Sequence, residues 1–137
     1  MTGGTVAHER PWRPLLLVLL MFSVVSCVAG GVPMLIWPGG EWIDPEAIRA
    51  TPFDSYFVPG LCLLLIGAIH LWAFVTLLRR TALWPVAAAV AGFAMTIWIF
   101  VEVLVYPAFN VLQPVYGAVG LAEIALLLAL LGVFERR

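Results

Sequence analysis

The stretch PLLLVLLMFSVVSCVAGGVPMLI, residues 14–36, runs from Pro14 to Ile36 without a charge. It follows the basic residues Arg10 and Arg13 and is bracketed by Trp12 and Trp37. At a rise of about 1.5 Å per residue, a helix of this length crosses a hydrocarbon core about 30 Å thick. Tryptophans at both ends suit the two membrane interfaces, and cations at one end suit the cytoplasmic side. The stretch reads as a membrane-spanning helix.

Three more runs repeat the pattern. Residues 57–78 are interrupted only by His70 and Thr76, with Asp54 or Ser55 as a cap before them and Arg79 and Arg80 after. Residues 84–106 open on Trp84 and Pro85, enclose Glu102 and meet a stop at Pro107. Residues 113–134 open on Gln113 and Pro114, enclose Glu123 and end before Glu135. The short link between the last two makes them antiparallel neighbours. The expected fold is all-α: an integral membrane four-helix bundle forming a single transmembrane domain over residues 1–137.

Composition points the same way. The chain is 64% hydrophobic and only 11% charged, with a mean hydropathy of +1.07, outside the range of a water-soluble domain. Beyond the four spans the sequence leaves one loop and two short tails, so chemistry is expected within the bundle or on that loop. A net charge of −1 offers no basic surface for nucleic acid.

The loop, residues 38–56, carries Pro38, Gly39, Gly40 and the acids Glu41, Asp44, Glu46 and Asp54, with Arg49 its only cation. Asp44, Pro45 and Glu46 read as an N-cap, a first-turn proline and a first-turn acid, predicting a short interfacial helix over 45–50. Arg10, Arg13, Arg79, Arg80, Arg136 and Arg137, six of the seven cations, fall on the other side of the membrane. The positive-inside rule therefore expects a multi-pass plasma-membrane protein with both termini cytoplasmic and the acidic loop outside.

Val24, Val25, Ser26 and Cys27 resemble a lipoprotein cleavage site. The apolar run continues to Trp37, however, where a mature lipoprotein turns polar, so an uncleaved first span is expected. Cys27 and Cys62 lie at different depths and predict no disulfide. Small residues at spacing four, Ser26 with Gly30, Cys27 with Gly31, and Ala88 with Gly92 and Thr96, predict close helix packing within the chain. Gly60, Gly67, Gly117 and Gly120 extend that prediction to the second and fourth spans.

Ionisable groups in the spans are the functional leads, because lipid makes them costly. His70 and Glu123 both fall about 15–20 Å from the outer surface, and a hydrogen bond between them is expected. Gly67 and Gly120 stand one turn outward of each and predict a space above the pair, open to the outer leaflet. The competing reading is that both glycines only allow helices to touch. Glu102 falls about 6–8 Å deep, level with Gln113, and Asp54 approaches from the loop. Tyr56, Trp98, Tyr106 and Tyr116 are expected to line or cap the opening. Glu102, Gln113, His70, Glu123, Asp54, Tyr116 and Trp98 are therefore the candidate ligand-binding residues. No metal site and no cofactor are expected: Glu-x-x-His spacing is absent, and Glu102 is offset from the other two groups.

Thr51, Pro52 and Phe53 followed by Phe57, Pro59 and Gly60, then Ile97, Trp98 and Glu102, then Leu112, Gln113, Pro114 and Tyr116, resemble small bacterial four-helix membrane proteins of no assigned activity. The similarity covers about residues 51–120. In size and span count alone the chain is similar to DoxX-type proteins. The first resemblance implies a shared outward-facing feature at Glu102 and Gln113 and supplies no catalytic residue. The expected role is non-enzymatic: binding a small lipophilic ligand or a membrane-protein partner, among membrane lipids, through the outer half. The rivals are a proton-coupled transport component using Glu102, His70 and Glu123, and a membrane isomerase or oxidoreductase acting on a lipid or quinone with Glu102 as general acid or base.

Overall fold

The computed structural model describes residues 3–106 and 108–135, with side chains from residue 11 onward. Its elements are all helical: α1 (Gly3–Ile36), α2 (Pro45–Arg49), α3 (Phe57–Leu78), α4 (Trp84–Val105) and α5 (Leu112–Leu130). Four of them contain stretches long and apolar enough to cross a membrane: Pro11–Ile36, Phe57–Leu78, Trp84–Val105 and Leu112–Leu130. Of the six cations placed on one side, Arg136, Arg137 and the Arg10 side chain lie outside the described residues, as does Pro107.

The first span differs from expectation at its start, because the helix continues through Pro11 and Pro14 to Gly3. A tertiary contact holds this turn in place. Arg13 Nη2 donates to the Leu77 and Leu78 carbonyls at 3.1 and 3.0 Å, adding to the bond that Leu77 O accepts from Arg80 N at the end of α3.

The last helix is shorter than expected, ending at Leu130 instead of 134. Gly132 adopts φ +74. Its N–H donates to Ala129 O and that of Val133 to Leu128 O, the Schellman arrangement that ends a helix whatever the polarity beyond. Arg80 closes α3 in the same way with φ 54, an uncommon conformation for a residue with a Cβ.

α1 packs on α3 and on α5, α3 on α4, and α4 on α5, the pairs α1 with α3 and α4 with α5 being the most extensive. Small residues set the closeness. A Cβ on Gly60 would meet Met34 Cβ at 2.7 Å and Gly31 O at 3.1 Å, while one on Gly92 would meet Ile124 Cγ1 at 2.7 Å. One apolar cluster, Leu16, Leu20, Ala73, Leu77, Ala87, Ala88, Ala91 and Leu127, fills the end that carries Arg13, Arg79 and Arg80. A second, Cys27, Ile66 and Met95, with Leu63, Trp98, Ile99 and Tyr116 against it, lies nearer the loop. Both cysteines are free. Facing outward, Val18, Val25, Leu65, Phe100 and Leu104 are exposed.

The loop folds onto its end of the helices. Asp44 caps α2 by accepting from Glu46 N at 2.9 Å, and Tyr56 N donates to Pro38 O. A Cβ on Gly40 would meet the Tyr56 ring at 2.5 Å, so a glycine at φ +83 lets the backbone cross over that ring.

Candidate functional site

At mid-depth, three helices supply one polar cluster. His70 on α3 and Glu123 on α5 are fully buried, and Nε2 lies 3.0 Å from Oε2. This is the hydrogen bond expected from their matched depths. Ser23 on α1, also fully buried, donates to Glu123 Oε1 at 2.9 Å. His70 Nδ1 is 2.8 Å from Ile66 O; a carbonyl only accepts, so Nδ1 carries a proton. The contact between Nε2 and Oε2 then holds a single further proton, as imidazolium with carboxylate or as imidazole with carboxylic acid. Either arrangement is neutral overall, which is what a buried pair in apolar surroundings requires.

The space expected above this pair is filled. Beside Gly67, Cys27 Cβ stands 3.0 Å from where a Cβ would be, and beside Gly120, Thr96 Oγ1 stands at 2.7 Å. The glycines serve helix contact. Thr96 secures its place by donating to Gly92 O at 2.8 Å. Tyr116 belongs to the overlying apolar cluster and stacks on Phe22 with ring centroids 5.8 Å apart. A crevice of about 540 Å³ occurs at the opposite end, lined by Trp12, Ala125, Leu126, Ala129, Phe134 and Glu135, away from the candidate residues.

A second polar group sits at the loop end. Glu102, half-buried on the last turn of α4, interacts with Gln113 and Trp98. Gln113 is 5% exposed. Its Oε1 accepts from Asn110 N at 3.4 Å, which leaves Nε2 for the carboxylate; that contact stays outside hydrogen-bond geometry, and Nε2 makes no other. Asn110 positions this turn, its Oδ1 accepting from Leu112 N at 3.0 Å.

Tyr106 follows Glu102 by one turn, and its hydroxyl lies 2.7 Å from that of Tyr56. Tyr56 donates to Asp44 O at 2.9 Å, so Tyr106 is the donor between the two phenols. Burial, then the contact with Tyr56, raises the Tyr106 pKa above the usual tyrosine range, with Glu102 and Asp44 adding to it. The chain Asp44, Tyr56, Tyr106 thus ties the loop to the rim beside Glu102. Asp54 does not join it and stands exposed.

The structure therefore divides the candidate residues. Glu102, Gln113 and Trp98 come together at the loop end, His70 and Glu123 form a separate sealed pair, and Tyr116 and Asp54 belong to neither. Among the described residues no three His, Cys, Asp or Glu side chains gather as metal ligands. Ser23, Asn110 and Arg13 are the polar partners that sequence reasoning missed. A serine nine residues into an apolar helix, at the depth of Glu123, was the available signal for the first. Compared with known protein families, curated proteins and solved structures, the chain matches none.

Proposed function

We propose that this chain is a multi-pass plasma-membrane protein, a four-helix bundle with both ends cytoplasmic, that binds a small amphiphilic ligand at its loop end through Glu102 and Gln113. Kinship with small bacterial four-helix membrane proteins is part of the proposal. The observation that carries the binding role is the buried Gln113 Nε2, left without a hydrogen bond beside a half-buried carboxylate. An unmet buried donor costs about 1–3 kcal/mol, and a ligand that accepts from it recovers that cost.

The membrane reading draws on the apolar outward faces, which in water would form a patch far beyond the few hundred Å² usual for a soluble monomer. The orientation draws on Arg13, Arg79 and Arg80 sharing one end. Native mass spectrometry of gently extracted protein tests the binding role. The expected result is a retained lipid-like adduct that Gln113→Leu loses. Bare protein mass under all mild conditions overturns the reading, and a retained protein subunit transfers the role to a membrane partner.

A second reading, a proton-coupled transport component, draws on the one proton shared by His70 and Glu123. Proton flux into proteoliposomes left unchanged by Glu123→Gln sinks it.

A further inference from the structure

Around the bundle α1 packs on α3, α3 on α4, α4 on α5 and α5 on α1, and the last of these contacts is the least extensive. The α1–α5 seam is also open at one end. The crevice of about 540 Å³ is bounded by Trp12 from α1 and by Ala125, Leu126 and Ala129 from α5, so it is a gap in this seam. Along α5 it reaches to within one turn of the polar cluster, because Leu126 follows Glu123 by three residues. Two contacts hold the seam shut beyond it. Ser23 donates to Glu123 Oε1 at 2.9 Å, and its neighbour Phe22 stacks on Tyr116 with ring centroids 5.8 Å apart. Ser23 and Glu123 are fully buried, whereas Phe22 is 43% exposed. The stack therefore stands at the surface of the bundle and the hydrogen bond inside it.

Both contacts open at small cost in a bilayer. A phenylalanine that leaves the stack orphans no polar atom, and lipid tails are as apolar as the ring it leaves. The Ser23 hydroxyl can turn to the Leu19 carbonyl one turn back on its own helix, as serines in apolar helices do. The opposite pairs α1 with α3 and α4 with α5 have no such freedom, being locked by backbone approach at Gly60 and Gly92. From this contrast we infer that the α1–α5 seam is a lateral gate between the bilayer and the buried Glu123 carboxyl, with Phe22 on Tyr116 as its closing contact. It admits small, uncharged, bilayer-dissolved molecules, because the approach through the crevice is apolar except for Glu135. The inference rests on the membrane reading proposed above and is independent of the loop-end ligand.

The test uses dicyclohexylcarbodiimide, a bilayer-soluble reagent, on protein reconstituted in phosphatidylcholine vesicles. One Glu123 oxygen bonds the carbodiimide carbon while the proton shared with His70 moves to a carbodiimide nitrogen. The resulting O-acylisourea rearranges to a stable N-acylurea, and no other reactant is consumed. Mass spectrometry of the digested protein reads the adduct on Glu123. Labelling follows the population of the open seam, so Phe22→Ala is expected to react about tenfold faster than the native chain, the size of one aromatic pair. Phe22→Leu, which keeps apolar volume and loses the ring, is also expected to react faster, and Phe22→Tyr to keep the slow rate. Phe93→Ala removes a comparably exposed ring, 54%, from α4 and is expected to keep the slow rate, which separates an opened seam from a loosened bundle. A water-soluble carbodiimide should leave Glu123 unlabelled in every variant. Native rates in both Phe22→Ala and Phe22→Leu, equal acceleration by Phe93→Ala, or equal labelling by the water-soluble reagent overturns the gate while the protein stays in the vesicles. Release of the protein from the vesicles by an alkaline wash overturns the membrane reading and the gate with it.

Discussion

Glu123 Oε2 lies 3.0 Å from His70 Nε2 while its other oxygen accepts from Ser23 at 2.9 Å, so one carboxyl group is held by α1 and α3 from its place on α5. Every polar atom of this cluster has a partner, and removing one member leaves others unpaired. Glu123→Ala orphans both His70 Nε2 and the Ser23 hydroxyl and is expected to cost about 3–5 kcal/mol. Ser23→Ala removes one bond of the carboxyl group and should cost about 1 kcal/mol. Glu123→Gln, which can still bridge both partners, should fall between them. Denaturant titration in detergent, followed by circular dichroism, gives the order; a Ser23→Ala loss equal to that of Glu123→Ala would refute it.

The glycines separate into two classes by what surrounds them. Gly60→Ala drives a methyl group into Met34 Cβ at 2.7 Å and the Gly31 carbonyl at 3.1 Å, with no flexible end to give way. A loss of about 1–3 kcal/mol follows from overpacking. Gly30→Ala and Gly117→Ala meet only Leu63 and Ile99 at 3.5 Å, ordinary contact, and should gain up to about 1 kcal/mol from helix propensity. Thermal melts of the three variants check the contrast.

The raised pKa of Tyr106 predicts an asymmetric response to alkali. Its folded-state pKa lies above the unfolded value, so its contribution is complete at neutral pH and is lost as pH climbs past the ordinary tyrosine pKa of about 10. Ultraviolet titration should show a late tyrosine ionisation above the ordinary range. Tyr106→Phe should abolish that late step, and Tyr56→Phe should bring it earlier by removing the neighbouring phenol. A late step that persists in Tyr106→Phe would assign it elsewhere.

Arg13 bridges α1 and the end of α3 through two carbonyls. Arg13→Met keeps the apolar stem and loses both bonds, so a cost of about 1–3 kcal/mol is expected. Hydrogen exchange should quicken in the last turn of α3 while α4 and α5 stay protected. Unchanged exchange at residues 74–78 would mean that the contact carries no stability.

The parts of this fold legible in the sequence are those set by local pattern. Uncharged runs located four helices, and Asp44, Pro45 and Glu46 located the start of α2. Equal depth was enough to pair His70 with Glu123, because a histidine and a carboxylate buried among apolar helices must find partners. What escaped depends on which helix lies opposite. Ser23 is one hydroxyl in an apolar run, and only the packing of α1 on α5 turns it toward Glu123. Gly67 and Gly120 read equally well as gaps or contacts, and Cys27 and Thr96, from other helices, decided for contact. The early end of α5 was hidden because Leu131, Val133 and Phe134 continue the apolar run while Gly132 has already turned the backbone.

The closely packed pairs α1 with α3 and α4 with α5 are each helical hairpins of consecutive spans, the first drawn together by Tyr56 and Pro38 across the loop. Most of the extensive packing therefore forms between neighbours in the chain, and the hydrogen bonds of Glu123 to Ser23 and His70 join one half to the other. Protein synthesis delivers these halves in succession, so the first hairpin forms with Ser23 and His70 awaiting a carboxylate that arrives only with α5. Expressed as two separate polypeptides divided near Ala82, the halves should copurify through the α3–α4 and α1–α5 packing, and Glu123→Ala should weaken that association.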